Sequence, residues 1–203
     1  MARIALIGAS GNIGGRILAE ALKRGHAVTG IVRNVHKLTP QSQLSITRGD
    51  IADPGALAAV LRGADVVVAS VRWTDNASQL LAAVHQAGVA RLIAIVGAGS
   101  LEVSPGVRVL DTQEFPAAWR PGAEGAARAL DTLRTETTID WVAVSPSWNI
   151  APGQRTGKFR VGGDQLLRDA AGESRISRED FAVAIVDEIE RPKHHRQRIT
   201  VGY

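Results

Sequence analysis

"LIGASGNIGGRIL" (residues 6–18) is the stretch on which the reading of this chain turns. An apolar run enters it, glycines stand three apart at Gly8, Gly11 and Gly14, and a helical pattern leaves it. Gly8 lets the chain bend sharply off a strand. Gly11 leaves the backbone bare for a close approach, and Gly14 lets the following helix sit tight against the strand. A helix that starts there offers free N–H groups and the positive end of its dipole, so the turn suits an anion. Ser10 and Asn12 can add side-chain hydrogen bonds, and Ile13 lies on the same turn. G-x-x-G-x-x-G between a strand and a helix points to a diphosphate, whereas a plain turn does not need glycine at all three places.

Working outward, strand-like and helix-like patterns alternate. "RIALIGA" (3–9) reads as a buried strand and "IGGRILAEALKRG" (13–25) as a helix. Ile17, Leu18, Ala21 and Leu22 share its apolar face, Arg16, Glu20 and Lys23 lie on the polar one, and Gly25 can stop it. "AVTGIVR" (27–33), "LSITRGD" (44–50), "DVVVASV" (65–71), "ARLIAIVGA" (90–98) and "DWVAVSPS" (140–147) read as further strands. Between them, "DPGALAAVLRGA" (53–64) is a helix capped by Asp53 with Pro54 in its first position. Residues 76–86, closed by Gly88, and residues 123–134 are also helical. "GKFRVGGDQLLRDAAGESRIS" (157–177) reads as a hairpin around "GGD", "REDFAVAIVDEIE" (178–190) as a helix and "RITVGY" (198–203) as a last strand. The pattern predicts an α/β fold: a Rossmann-type doubly wound parallel sheet with right-handed crossovers. It forms a single domain over residues 1–203, with a small C-terminal hairpin-plus-helix region, 148–203, on the substrate side. The longest weakly patterned stretch is 99–122, and loops of that length are often functional.

Ligands of open α/β sheets bind beyond the carboxyl ends of the strands. At the end of the second strand an NAD site carries Asp or Glu for the ribose hydroxyls. Here Arg33 stands there, followed by Asn34, His36 and Lys37, and no carboxylate occurs from Gly25 to Gly49. A guanidinium holds a 2′-phosphate with paired hydrogen bonds, so the reading favours NADP (NADPH) over NAD. The bland alternative is a solvated surface cation. Asp50 and Ile51 end the third strand, facing adenine or simply forming a loop. Ala69, Ser70 and Val71 end the fourth, where small side chains permit close approach.

Together "IALIGASGNIGGRILAEALKRGHAVTGIVRN", "GDIADP", "VVVASV" and "VSPSWNIAPGQRTGKFRVGGDQLL" resemble the atypical short-chain dehydrogenase/reductases. More narrowly, they resemble the NmrA-like and biliverdin-reductase-B-like NAD(P)-binding proteins, a group that also carries the NAD-dependent epimerase/dehydratase label. The resemblance implies cofactor contacts at Gly8, Ser10, Gly11, Asn12, Ile13, Gly14, Arg33, Asn34, Asp50, Ile51, Ala69, Ser70 and Val71. It also implies that Pro146 and its neighbour Ser147 face the nicotinamide.

Ordinary short-chain dehydrogenases, unlike these atypical ones, protonate the substrate with a Tyr made acidic by a Lys four residues on, because hydride addition to a carbonyl leaves an alkoxide. The helix that should carry the pair, "PGAEGAARALDTLR" (121–134), has neither, and the only tyrosine is Tyr203. The catalytic residues are therefore unassigned. A flavin or quinone delocalises the charge it gains and takes its proton from water, so the leading expectation is a reductase of a small planar electron-poor acceptor. Ser100, Trp119 and Trp148 are candidate substrate contacts, with Trp73 a third ring. Each also has an ordinary reading, as a turn serine or as core tryptophans. The alternative function is a non-catalytic NADP(H) redox sensor of the NmrA type. A sugar-nucleotide epimerase leaves too little chain for a substrate domain.

The totals agree with a soluble enzyme. The chain has 203 residues, 45% hydrophobic and 22% charged, and no cysteine, which excludes disulfides and zinc–thiolate sites; no metal site is expected. The pI of 10.1 reflects a net charge of only +4, and the basic stretch "RPKHHRQR" (191–198) reads as a solvated connector without aromatic rings for bases. No nucleic acid or membrane partner is expected. A cytoplasmic monomer or homodimer acting on a small molecule is.

Overall fold

A computed structural model describes all residues, 1–203. The chain runs β1 (Arg3–Ile7), α1 (Gly14–Lys23), β2 (Ala27–Val32), β3 (Leu44–Arg48), α2 (Pro54–Leu61), β4 (Val66–Ala69), α3 (Ala77–Ala87) and β5 (Arg91–Ile95). It continues through β6 (Glu102–Ser104), β7 (Val107–Arg108), α4 (Arg120–Arg134), β8 (Asp140–Pro146), β9 (Asn149–Ala151), β10 (Arg160–Gly162), β11 (Arg175–Ser177), α5 (Arg178–Glu190) and β12 (Gln197–Gly202). Eight strands form one sheet in the order β10-β12-β8-β5-β4-β1-β2-β3. All neighbours are parallel except β10 with β12. From β1 the order runs outward in both directions, so the switch point lies between β1 and β4, as a doubly wound sheet requires.

The reasons are local. β4 is Val-Val-Val-Ala, buried at every position, which suits a strand covered on both faces. Asp53 accepts a hydrogen bond from the Ala56 amide (3.0 Å) with Pro54 behind it, so α2 starts where its sequence says. Gly88 takes φ +71° and ends α3. Ile17 and Leu18 of α1 pack with Phe181 and Ile185 of α5 on one face of the sheet. Leu57 of α2, Leu80 of α3 and Leu130 of α4 fill the other.

Three expectations are corrected, and Trp73 takes its ordinary core reading. The segment 157–177 is not a hairpin. β10 pairs antiparallel with β12 at the sheet edge, and β11 pairs parallel with β9. After "GG" the chain crosses to Glu102 instead, whose N–H donates to the Asp164 carbonyl and whose carbonyl accepts from the Leu166 amide (2.9 Å each). The stretch 191–198 is not simply solvated. Arg198 is buried and ion-paired with Asp164, His194 bonds the buried Glu188, and His195 meets Asp140. Trp73 is core: 4% exposed, its indole donating to the Ile95 carbonyl at 2.7 Å. Glu20, expected on the polar face of α1, is 5% exposed. There it meets Arg24 (2.7 Å) and both Nε and Nη2 of Arg155 (2.8 and 2.7 Å), because α5 and the segment before β10 close over it.

That buried carboxylate makes stability depend on acid. The Arg155 guanidinium, working against burial and aided by Arg24, holds Glu20 at about 2, below its ordinary 4.5. A carboxyl lowered in the folded state stabilises the fold fully above the unfolded value and loses that contribution as pH falls through the folded one. The window is therefore pH 4.5 down to 2, and the contribution is about 3 kcal/mol. Urea unfolding at stepped pH should show the native chain losing stability across this window more steeply than Glu20→Gln. Equal slopes would show that Glu20 carries none of it.

Candidate functional site

The ends of four strands are tied into one rim. The Gly8 amide donates to the Ile31 carbonyl (2.9 Å), Gly49 to Val32 (3.1 Å) and Ser70 to Ile7 (2.9 Å). Gly8 has φ +83°, and a Cβ there would lie 2.1 Å from the Ser70 carbonyl oxygen. A Cβ on Gly14 would lie 2.1 Å from the Gly8 carbonyl oxygen, and one on Gly11 3.2 Å from it. The tight turn at Gly8 and the close packing of Gly14 are thus both present, and Gly14 presses on the turn itself. α1 starts at Gly14 with Ile13 before it and no side-chain cap, while the Gly15 amide closes onto the Gly11 carbonyl (2.8 Å). The amides of Asn12, Ile13 and Gly14 meet no backbone acceptor, and the side chains of Ser10 and Asn12 are exposed. This is a nest of free donors at a helix start.

At the next strand end Arg33 is exposed and has no carboxylate partner, and neither do Arg48, His36 or Lys37. Asn34 spends its side-chain oxygen on the His36 amide (3.1 Å), and Asp50 spends Oδ1 on the Ala52 amide (3.1 Å). Both hold turns at the rim. Ile51 and Ala69 have their side chains in the core; Ser70 and Val71 are half-buried beside Gly8. The donor nest and the unpaired guanidinium lie one strand apart, at the switch point. They fit a dinucleotide, with free donors for a diphosphate at the start of α1 and an unpaired cation one strand away.

On the other side of the switch point, Pro146 is buried at the end of β8, paired with Val201. Just beyond it a cleft of about 730 Å³ opens between the segments 103–119, 148–149 and 166–174. Trp148 and Trp119 line it, with ring centroids 6.2 Å apart and planes tilted by 48°. Trp148 is held edge-on to Phe115 (5.5 Å, 82°), and its amide donates to Ser174 Oγ (3.1 Å). Ser100 does not line this cleft: 9% exposed, it is turned inward, where its Oγ accepts from Arg198 Nη1 (3.1 Å). Tyr203 is also committed elsewhere. Its hydroxyl donates to the fully buried Asp180 (2.9 Å) and accepts from the Ser177 amide (3.2 Å). Burial alone would raise the Asp180 pKa, but bonds from Thr156, Gly157 and Tyr203 outweigh it and hold the carboxyl low. Val103, Val109, Thr112, Glu114, Asn149, Leu166, Arg168 and Glu173 line the cleft unannounced by any sequence motif.

A doubly wound parallel sheet with a glycine-built anion seat at its switch point defines a nucleotide-binding protein of the Rossmann type. Residues 8–192 match the NAD(P)H-binding family, and the chain belongs to it. It is 36% identical over 210 residues to the uncharacterized Bacillus subtilis protein YwnB, covering 98% of this chain and 97% of that one. A Burkholderia pseudomallei protein named "putative exported protein" shares 42% identity with a TM-score of 0.92 over the whole of both chains. A Streptococcus pneumoniae protein named "putative NADH-flavin reductase" shares 32% with a TM-score of 0.87, covering 100% of this chain and 99% of that one. The expected NAD(P)-binding α/β fold thus holds. No helix is long and apolar enough to cross a membrane.

Proposed function

We propose that this protein is an NADPH-dependent reductase of a flat, electron-poor small molecule of the flavin or quinone type. The observation that carries the reading is the tryptophan-lined cleft opening at the same end of the sheet as the glycine turn and the unpaired Arg33. NADPH, when bound, supplies a hydride. The amides of Asn12, Ile13 and Gly14 would hold its diphosphate, aided by Ser10. Arg33 would hold the 2′-phosphate, and the ends of β5 and β8 would bound the nicotinamide side of the crevice. The reduced acceptor needs one proton besides the hydride. α4 offers neither Tyr nor Lys to give it, and Tyr203 is bonded away at α5. An acceptor that spreads the incoming charge takes its proton from water, whereas a simple ketone cannot wait for one. The name of the Streptococcus relative supports the acceptor class; for the cofactor, the cationic end of β2 favours the phosphorylated form. The absence of cysteine and the reliance on a soluble reductant fit a cytoplasmic setting.

Loss of nicotinamide absorbance tests this. With NADPH, the protein should reduce riboflavin or menadione and turn over cyclohexanone at least about a hundredfold more slowly. Equal rates with the ketone would contradict the reading. A second reading, a redox sensor, draws on the same lack of an acid in α4. It predicts NADPH binding with no acceptor turned over.

A further inference from the structure

The two tryptophans of the cleft differ in how they are held. The Trp148 ring is half-buried and packed edge-on to Phe115, and its backbone amide donates to Ser174 Oγ, although its indole N–H has no partner. Trp119 is 60% exposed, sits in a single turn of 3-10 helix before α4, and its indole N–H has no partner. The indoles of Trp73 and Trp141, by contrast, are bonded to carbonyls. At 6.2 Å and 48° the pair forms an open V rather than a stack. One flat molecule cannot lie against both faces until Trp119 turns, and Trp119 is the half that is free to turn. The walls beside the pair are aliphatic, with Val109 and Leu166 on the cleft. A volume of about 730 Å³ accommodates several fused rings.

The rim has a charge sign of its own. Glu114 and Glu173 are exposed there and form no ion pair, while Arg168 has already given Nη1 to the Gly172 carbonyl (2.7 Å). Two free carboxylates on the lining against the one guanidinium of Arg168, with Arg120 set back over the Phe115 ring (5.7 Å), leave the lining itself net negative, which disfavours a phosphate tail. With Asn149 they offer donors and acceptors to hydroxyl groups.

Resting on the reductase reading, and sharpening it, we propose that the cleft takes a multi-ring planar acceptor with an uncharged, hydroxyl-bearing tail, and that Trp119 closes onto the ring face. Riboflavin carries such a tail; flavin mononucleotide is the same ring system with a phosphate on it.

Equilibrium dialysis of the full chain, without NADPH, against each of the two compounds tests this without any turnover. Riboflavin should bind about five- to tenfold tighter than flavin mononucleotide, and added salt should narrow the gap. Trp119→Ala should weaken riboflavin about tenfold, and Trp119→Phe should recover most of the loss. Because Trp119 is exposed, neither variant disturbs the core, and unchanged NADPH affinity shows the crevice intact. Flavin mononucleotide binding as tightly as riboflavin, no binding of riboflavin, or riboflavin held equally well by Trp119→Ala would each overturn the proposal. If the predicted binding pattern appears but no acceptor is reduced, the reductase reading falls and the riboflavin site stands. Turnover of quinones without riboflavin binding would sink the riboflavin site and leave the reductase reading in place.

Discussion

Arg33→Ala should weaken NADPH binding by about ten- to a hundredfold while leaving NADH within about threefold. The effect comes from unspent charge. Arg33 is exposed at the end of β2, forms no ion pair, and has Arg48, His36 and Lys37 for neighbours. The one carboxylate near the rim, Asp50, bonds the backbone of its own turn. A 2′-phosphate would meet a guanidinium with no ion pair to break, whereas NADH offers only neutral hydroxyl oxygens, which gain far less from the charge. Since the side chain supports no packing, the variant should keep its stability to within about 0.5 kcal/mol. Titrations of both nucleotides into both proteins decide the matter. A parallel loss of the two affinities would mean that Arg33 acts through the shape of the rim. No loss at all would remove the case for the phosphorylated cofactor.

Gly14→Ala should cost about 3 kcal/mol or more of stability and abolish measurable NADPH binding. The added methyl would lie 2.1 Å from the Gly8 carbonyl oxygen, a backbone atom, and Gly8 itself is pressed against the Ser70 carbonyl at the end of β4. Neither neighbour can yield without moving the helix start or opening the sheet. Gly15→Ala is the matched control. Its methyl would sit 3.7 Å from the nearest atom, the Ala9 carbonyl oxygen, within α1, where alanine is favoured over glycine by up to about 1 kcal/mol. Urea unfolding should therefore move in opposite directions for adjacent glycines. Similar losses for both would mean that helix propensity, and not the close approach at Gly14, sets the cost.

Much of this site was legible because its determinants are local. The spaced glycines, the Asp53–Pro54 cap and the left-handed Gly88 each act within a few residues of themselves, so residue identity carries their structure. Pairing over long separations was not. β10 finds β12 and β9 finds β11 through pairings of only three residues each, too short for a period to show, and the "GG" between two short runs looks like a hairpin turn from either side. Burial of charge was hidden for a related reason. Glu20 reads as a surface residue on its own helix and becomes internal only when Arg155, far along the chain, closes over it. Trp73 and Trp119 show the same limit among rings: identical side chains, one 4% and the other 60% exposed, told apart only by what the sheet and α4 bring against them. The cleft drew its walls from three separate segments, none with a motif of its own.

Calorimetric titration of the native chain with NADPH and with NADH is the most direct test of the dinucleotide seat on which the rest stands. Saturable binding of one NADPH per chain, at least about tenfold tighter than NADH, is the predicted result. No heat with either nucleotide, or NADH bound as tightly as NADPH, would contradict it.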